Sequence, residues 1–272
     1  MPPDAAHWVI VLFSAVFGGA VGSFLNVVVY RLPNGLSLVA PPSHCPICKT
    51  PIRWFDNVPV FGWMMLGGRC RHCRCWIPIR YPLVEALTAA MFAALAIVED
   101  PLAVAYPYHL MLLCTLLCSA LIEVDGHRPP LRLFVPALIV GLVTPLVWPT
   151  VQPAHWVGLY PTGTANMLDA LIQVGAGVVA GGVLWLMMLG WRRIQASASD
   201  VARPSAGTFL DTICAGAFLG WTVLPVLVVA TLAAYAVFLC LWRGHLRVST
   251  PLSVWLFVVV AALLFWARLV LP

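Results

Sequence analysis

This sequence predicts an all-α integral membrane protein, with about eight transmembrane helices and a zinc-stapled cytoplasmic loop. Three observations carry that prediction. Of 272 residues, 62% are hydrophobic and only 9% charged, a balance foreign to soluble single domains, and mean hydropathy is +0.95. The apolar residues fall into runs near the roughly 20 needed for a helix to cross the hydrocarbon core. Seven of the 15 lysines and arginines, and four paired cysteines, crowd into one stretch between the first and second runs.

The first run, 8–29, is too long for a secretory signal and lacks a small-residue cleavage pattern before the charged loop. Further runs are 81–98, 108–124, 133–147, 167–189, 209–221, 223–241 and 252–271. The fourth and sixth are short, and tilt, local thinning or a partly re-entrant path would accommodate them. Gly18-x3-Gly22 and Gly177-x3-Gly181 offer faces for close helix packing. Residues 148–163, with three Pro and two Trp, read as an interfacial loop, and no internal repeat is evident.

Charge sets the orientation. Arg31, Lys49, Arg53, Arg69, Arg71, Arg74 and Arg80 follow the first span. Counting eight spans from there, Arg128, Arg132, Arg192, Arg193, Arg203, Arg243 and Arg247 fall on the same side, with Arg268 the exception. Glu99 and Asp100 lie opposite. Cytoplasmic loops carry the excess of Lys and Arg, so the basic side is predicted to be cytoplasmic and both termini outside. The net charge of +5 is therefore a topology signal and gives no reason to expect nucleic acid as a partner.

Residues 1–31 thus hold the first span, 32–80 a soluble insertion and 81–272 a multi-span domain. The insertion is too small to build much of a core, so a metal staple is the expected solution. Cys45-x2-Cys48 and Cys70-x2-Cys73 supply four thiolates, the ligand set of a closed tetrahedral zinc site. With no open position, such a zinc is structural. Cys75, at Cys-x-Cys spacing from Cys73, is the weaker alternative ligand. The nine cysteines do not suggest disulfides: these pairs lie on the cytoplasmic side, and Cys114, Cys118, Cys214 and Cys240 lie in apolar runs as small core residues.

Six blocks carry a resemblance: Gly22-Ser23-Phe24-Leu25-Asn26, Tyr30-Arg31-Leu32-Pro33, Cys45-Pro46-x-Cys48, Asn57-x-Pro59, Gly68 before the second pair, and Arg80-Tyr81-Pro82-Leu83-Val84-Glu85. Together they resemble the bacterial prepilin peptidases, membrane aspartyl proteases that also N-methylate the trimmed pilin. The resemblance implies a methyltransferase half at 32–80 with S-adenosylmethionine as donor, Gly68 as the glycine implicated in methylation, and a role for Glu85. It also implies N-terminal segments of prepilins or pseudopilins as partners, in a type IV pilus or type II secretion system. The location implied is the bacterial inner membrane.

The catalytic half departs from that pattern. The family's first aspartate follows Leu-Pro after an Ile-Asp-x-Asp. Aligned on Ile122, Asp125, Pro130 and Pro136 without a gap, Leu131 stands there. The second sits eight residues before Gly-Ala-x-x-Gly-Trp, which is Gly216 to Trp221 here, so Thr208 stands in its place. Leu210 occupies the position of a family lysine. Aspartyl hydrolysis needs two carboxylates sharing a proton across a water, one as base and one as acid. Leu131 cannot hold that water and the Thr208 hydroxyl does not titrate near neutrality. A relocated pair, Asp125 with Asp211, is one alternative. The other is that Asp125 is interfacial and Asp211 hydrogen-bonds across the bundle. The sequence therefore leaves two function classes: a family member with a degenerate peptidase site that retains methyl transfer, or a non-catalytic pilin-binding or assembly factor.

Overall fold

A computed structural model describes residues 5–151, 167–195, 206–220, 229–231, 233 and 252–270, with backbone alone for 187–195, 206–208, 252 and 266–270. Among the described residues the regular structure is helical: α1 (Ala5–Arg31), α2 (Phe61–Met65), α3 (Arg80–Val98), α4 (Ala105–Val124), α5 (Leu131–Val147), α6 (Met167–Gln195), α7 (Ala206–Leu219) and α8 (Leu252–Val270). Short 3-10 turns occupy Trp54–Asn57 and Pro149–Val151. Among the described residues, four helices are long and apolar enough to cross a membrane: α1, α3, α4 and Met167–Leu186 of α6. Leu131–Val147, Phe209–Leu219 and Ser253–Phe265 are apolar but shorter. Most of the run at 223–241, and all of 148–163 beyond residue 151, lie outside the described residues.

Local chemistry sets the helix ends. Pro82 and Pro107 stand in the first turns of α3 and α4, where the missing N–H has no intrahelical partner to lose. α5 keeps Pro136 and Pro145 inside it, a pattern that membrane helices tolerate. α7 stops at Gly220, whose φ of +73° is the left-handed cap that glycine adopts without strain.

The chain divides into two compact units, Met1–Pro101 and Leu102–Pro272. In the first, α1 packs on α3 through the predicted small-residue face. A Cβ on Gly18 would meet the Phe92 side chain at 2.7 Å, and one on Gly22 would meet Glu85 Cα at 2.8 Å. In the second, Gly177 of α6 packs on the Gly216 backbone of α7, and Gly181 on the Thr212 carbonyl. The centre of this unit is α4, with Tyr108, Leu112, Leu113, Leu116 and Ile122 buried. The Tyr108 hydroxyl donates to the Phe218 carbonyl at 3.1 Å, tying α4 to the Gly-Ala-x-x-Gly block. Gly22→Leu is expected to cost about 1–3 kcal/mol by overpacking. Thermal unfolding in detergent checks this, with Gly182→Leu, whose Cβ meets nothing within 4 Å among the described residues, as the neutral control.

Candidate functional site

The paired cysteines come together. Cys45, Cys48, Cys70 and Cys73 present sulfurs that all lie within 4.8 Å of one another. Cys45 Sγ is 3.7 Å from Cys73 Sγ, and Cys48 Sγ is 4.0 Å from Cys70 Sγ. Thiolates about 2.3 Å from a central metal have tetrahedral edges near 3.8 Å, so the donor set fits such an ion. The Cys48 backbone N–H draws the Cys45 thiol down to about 6, and the Thr50 hydroxyl lowers Cys48.

The two halves of this cluster repeat each other at an offset of 25 residues, a relation that cysteine spacing alone does not announce. Cys45 N–H donates to Thr50 O as Cys70 N–H donates to Cys75 O, and Lys49 N–H to Cys45 O as Arg74 N–H to Cys70 O. Lys49 and Arg74 share a positive φ, 57° and 60°. Isolated bridges join His44 to Pro51 and Arg69 to Trp76. The sequence signal was Cys-x2-Cys-basic-x2-Ile, present at Cys45–Ile52 and again at Cys70–Ile77. The repeat matches Cys75 to Thr50, the residue beside a ligand. That places it outside the four, although its sulfur is 3.5 Å from Cys45 Sγ.

The remaining blocks meet along α1 and α3. Asn26 Nδ2 donates to Tyr81 O at 3.2 Å. The Arg31 guanidinium holds Ser37 O and Pro41 O at 2.9 and 2.7 Å, folding the start of the insertion onto the end of α1. Glu85 Oε2 accepts the Val60 N–H at 2.7 Å. Val60 has φ 63° and ψ −53°, and Phe61 N–H closes back on Pro59 O at 2.7 Å. This is the strained, positive-φ form of the γ-turn, on a β-branched residue that seldom adopts it. Glu85 therefore holds a strained turn in place. Gly68 has φ +67°, and a Cβ there would strike the Trp63 ring at 2.7 Å. Trp63 Nε1 in turn donates to Ile77 O at 3.0 Å. A bidentate pair links the 3-10 turn at Trp54–Asn57 to the second cysteine pair, with Arg71 Nε and Nη2 donating to Asp56 at 2.8 and 2.6 Å and holding its carboxyl below the usual range.

The two positions expected to match the family aspartates lie in the second unit. Leu131 opens α5 behind an N-cap at Pro130, and its side chain is 58% exposed. Thr208 lies in the first turn of α7, with its side chain outside the described atoms. Asp125 is the exposed C-cap of α4. Asp211 is fully buried, and the Ser119 hydroxyl of α4 donates to its Oδ2 at 2.9 Å, a hydrogen bond across the bundle. Its Oδ1 has no hydrogen bond among the described residues. The carboxylate whose field reaches Asp211 is Glu123, itself bonded by the Ser253 hydroxyl at 2.6 Å.

Relatives decide the family. The sequence matches the profile of the Bacterial Peptidase A24 N-terminal domain over residues 16–98. It is 32% identical over 268 residues to a protein of Burkholderia pseudomallei (strain K96243) named "Prepilin leader peptidase/N-methyltransferase", covering 88% of this chain and 79% of that one. The chain belongs to the prepilin leader peptidase/N-methyltransferase family. Another member so named, from Klebsiella pneumoniae, is 34% identical over 234 residues, covering 83% of this chain and 92% of its own. A third, from Myxococcus xanthus (strain DK1622), is 33% identical over 219 residues, and there the match spans 78% of this chain but only 57% of the relative. No solved structure matches. The matched N-terminal domain takes in α1 from residue 16 onward, the cysteine cluster, Gly68, Glu85 and α3. All six blocks of this prepilin leader peptidase/N-methyltransferase family member fall inside it.

Proposed function

We propose that this chain is an inner-membrane member of its family that binds the N-terminal segments of prepilins or pseudopilins, has lost leader cleavage and retains N-methylation. Its setting is type IV pilus biogenesis or type II secretion. The observation that carries the loss is Leu131: an exposed leucine opens α5 where the gap-free alignment calls for a carboxylate. Retained methyl transfer is supported by the N-terminal blocks, whose residues are bonded and packed into one unit around Glu85 and Gly68. S-adenosylmethionine would supply the methyl group. Zinc, closed in by Cys45, Cys48, Cys70 and Cys73, would act as a staple and take no part in the reaction.

The experiment is incubation with prepilin and with pilin already trimmed, each with and without S-adenosylmethionine, read by intact mass. Prepilin should keep its leader, and trimmed pilin should gain one methyl. Binding without a methyl gain would favour the pilin-binding or assembly-factor reading, which draws support from the lack of a compact Gly-rich donor loop in the sequence.

Eight spans, a cytoplasmic cysteine loop and outward termini complete the proposal. Cysteine-accessibility labelling should place Arg193 and Arg243 on the side of Arg53, with Glu99 and His155 opposite. His155 labelled together with Arg53 would contradict the eight-span topology. His155 and Arg243 lie outside the described residues.

A further inference from the structure

Residues 58–66 read Val-Pro-Val-Phe-Gly-Trp-Met-Met-Leu, nine positions without a charged side chain inside a loop otherwise rich in arginine. Their placement along α1 and α3 is deep. A Cβ on Gly19 would lie 3.2 Å from Pro59 Cβ and 3.9 Å from Ala89 Cβ, so Pro59 sits over the middle of the helix pair. At 1.5 Å per residue, Gly19 is about 18 Å from Arg31 at the end of α1, and Ala89 is about 14 Å from Arg80 at the start of α3. α3 itself measures about 28 Å, close to the thickness of the hydrocarbon core, which puts Ala89 near mid-span. A turn resting on the membrane surface would stop at the level of Arg80.

The polar groups of this segment are also met from within. Glu85 takes the Val60 N–H. Gly62 N–H donates to Val58 O, Met64 N–H to Val60 O and Leu66 N–H to Gly62 O. Trp63 Nε1 donates to Ile77 O. Non-helical backbone survives at membrane depth only when satisfied in this way. Meanwhile Phe61, Met64 and Met65 are 65%, 61% and 83% exposed, an apolar cluster that would be unfavourable in water. Arg53, Arg69, Arg71 and Arg74 flank the run in sequence, matching the anionic headgroups of the leaflet that basic segments favour.

We propose that residues 58–66 are a re-entrant wedge, sunk in the leaflet at the loop end of α1 and α3, with Phe61, Met64 and Met65 against lipid acyl chains. The proposal rests on α1 and α3 crossing the membrane. Glu85 then acts as an anchor, holding the strained tip of the wedge to α3 inside the hydrocarbon.

The test uses the full-length protein in vesicles of phosphatidylethanolamine and phosphatidylglycerol whose acyl chains carry bromine. A fluorescent amino acid is placed at Met65, with controls at Phe13, exposed on α1, and at His72, exposed between the second pair of cysteines. The Met65 probe should be quenched by acyl-chain bromine nearly as strongly as the Phe13 probe, and several-fold less by aqueous iodide than the His72 probe. A Met65 probe that behaves like His72 while Phe13 is quenched overturns the wedge and leaves the membrane reading of α1 standing. An unquenched Phe13 probe overturns both. Shielding from iodide that appears only on adding prepilin, without bromine quenching, assigns the patch to the substrate and also overturns the wedge.

Discussion

Incubated with prepilin, the unmodified protein is expected to leave the leader intact. Each catalytic carboxylate contributes about 10²–10⁴-fold through proton transfer, and the two act as a unit. In the proposed reading, Leu131 and Thr208 stand where both would be. Leu131→Asp combined with Thr208→Asp is the variant that restores the pair, and each single change should stay inactive because one carboxylate cannot serve as base and acid together. Both positions lie in the first turn of a helix, where an acid is favoured by about 0.3–1 kcal/mol. Cleavage by the unmodified chain would refute the degenerate-site proposal. If that activity vanished with Asp125→Asn or Asp211→Asn, a relocated pair would be the source. Glu123→Gln belongs in the same set, because Glu123 is the carboxylate whose field reaches Asp211.

Protein purified under reducing conditions should carry one zinc per chain, and changing Cys45, Cys48, Cys70 or Cys73 to serine should abolish stoichiometric binding. Structural zinc in small domains contributes about 10–16 kcal/mol of apparent binding free energy, which is also folding free energy. Without it, residues 32–80 should become the preferred site of limited proteolysis, while α1 and α3 stay inserted. Cys75→Ser should keep its zinc, since the 25-residue repeat matches Cys75 to Thr50. Binding requires thiolates, so affinity is present at neutral pH and is lost as pH falls. Cys45, drawn down to about 6, should be among the last of the four to protonate. Metal analysis across a pH series, with the cysteine variants alongside, checks each of these statements. A preparation without zinc under reducing conditions would sink the assignment.

Much of the helical frame was legible because apolar runs have a physical length. Predicted runs 81–98 and 252–271 became Arg80–Val98 and Leu252–Val270, and the small-residue faces at Gly18, Gly22, Gly177 and Gly181 became close contacts. Cysteine spacing likewise announced the cluster. What the sequence hid was three-dimensional. The role of Glu85 depends on a γ-turn 25 residues earlier, and nothing in local periodicity marks Val60 as the residue with positive φ. The run at 58–66 is too short to register as a span, so its place beside the middle of α1 emerged only from the closeness of Pro59 to Gly19. Asp211 was visible as an acid in an apolar run, but its neighbours Ser119 and Glu123 come from a helix about 90 residues away.

The matched knuckles also order events in time. Their offset means that the first pair of thiolates is synthesised 25 residues before the second, roughly one to five seconds at ordinary elongation rates. An ion caught by Cys45 and Cys48 would wait on a two-sulfur half-site until Cys70 and Cys73 arrive. Cys73 precedes Arg80, the first residue of α3, by only seven positions, so closure of the metal site and entry of the second helix into the bilayer would be neighbouring steps. Metal supply would then act on the chain during its birth, when the hairpin of α1 and α3 is being set.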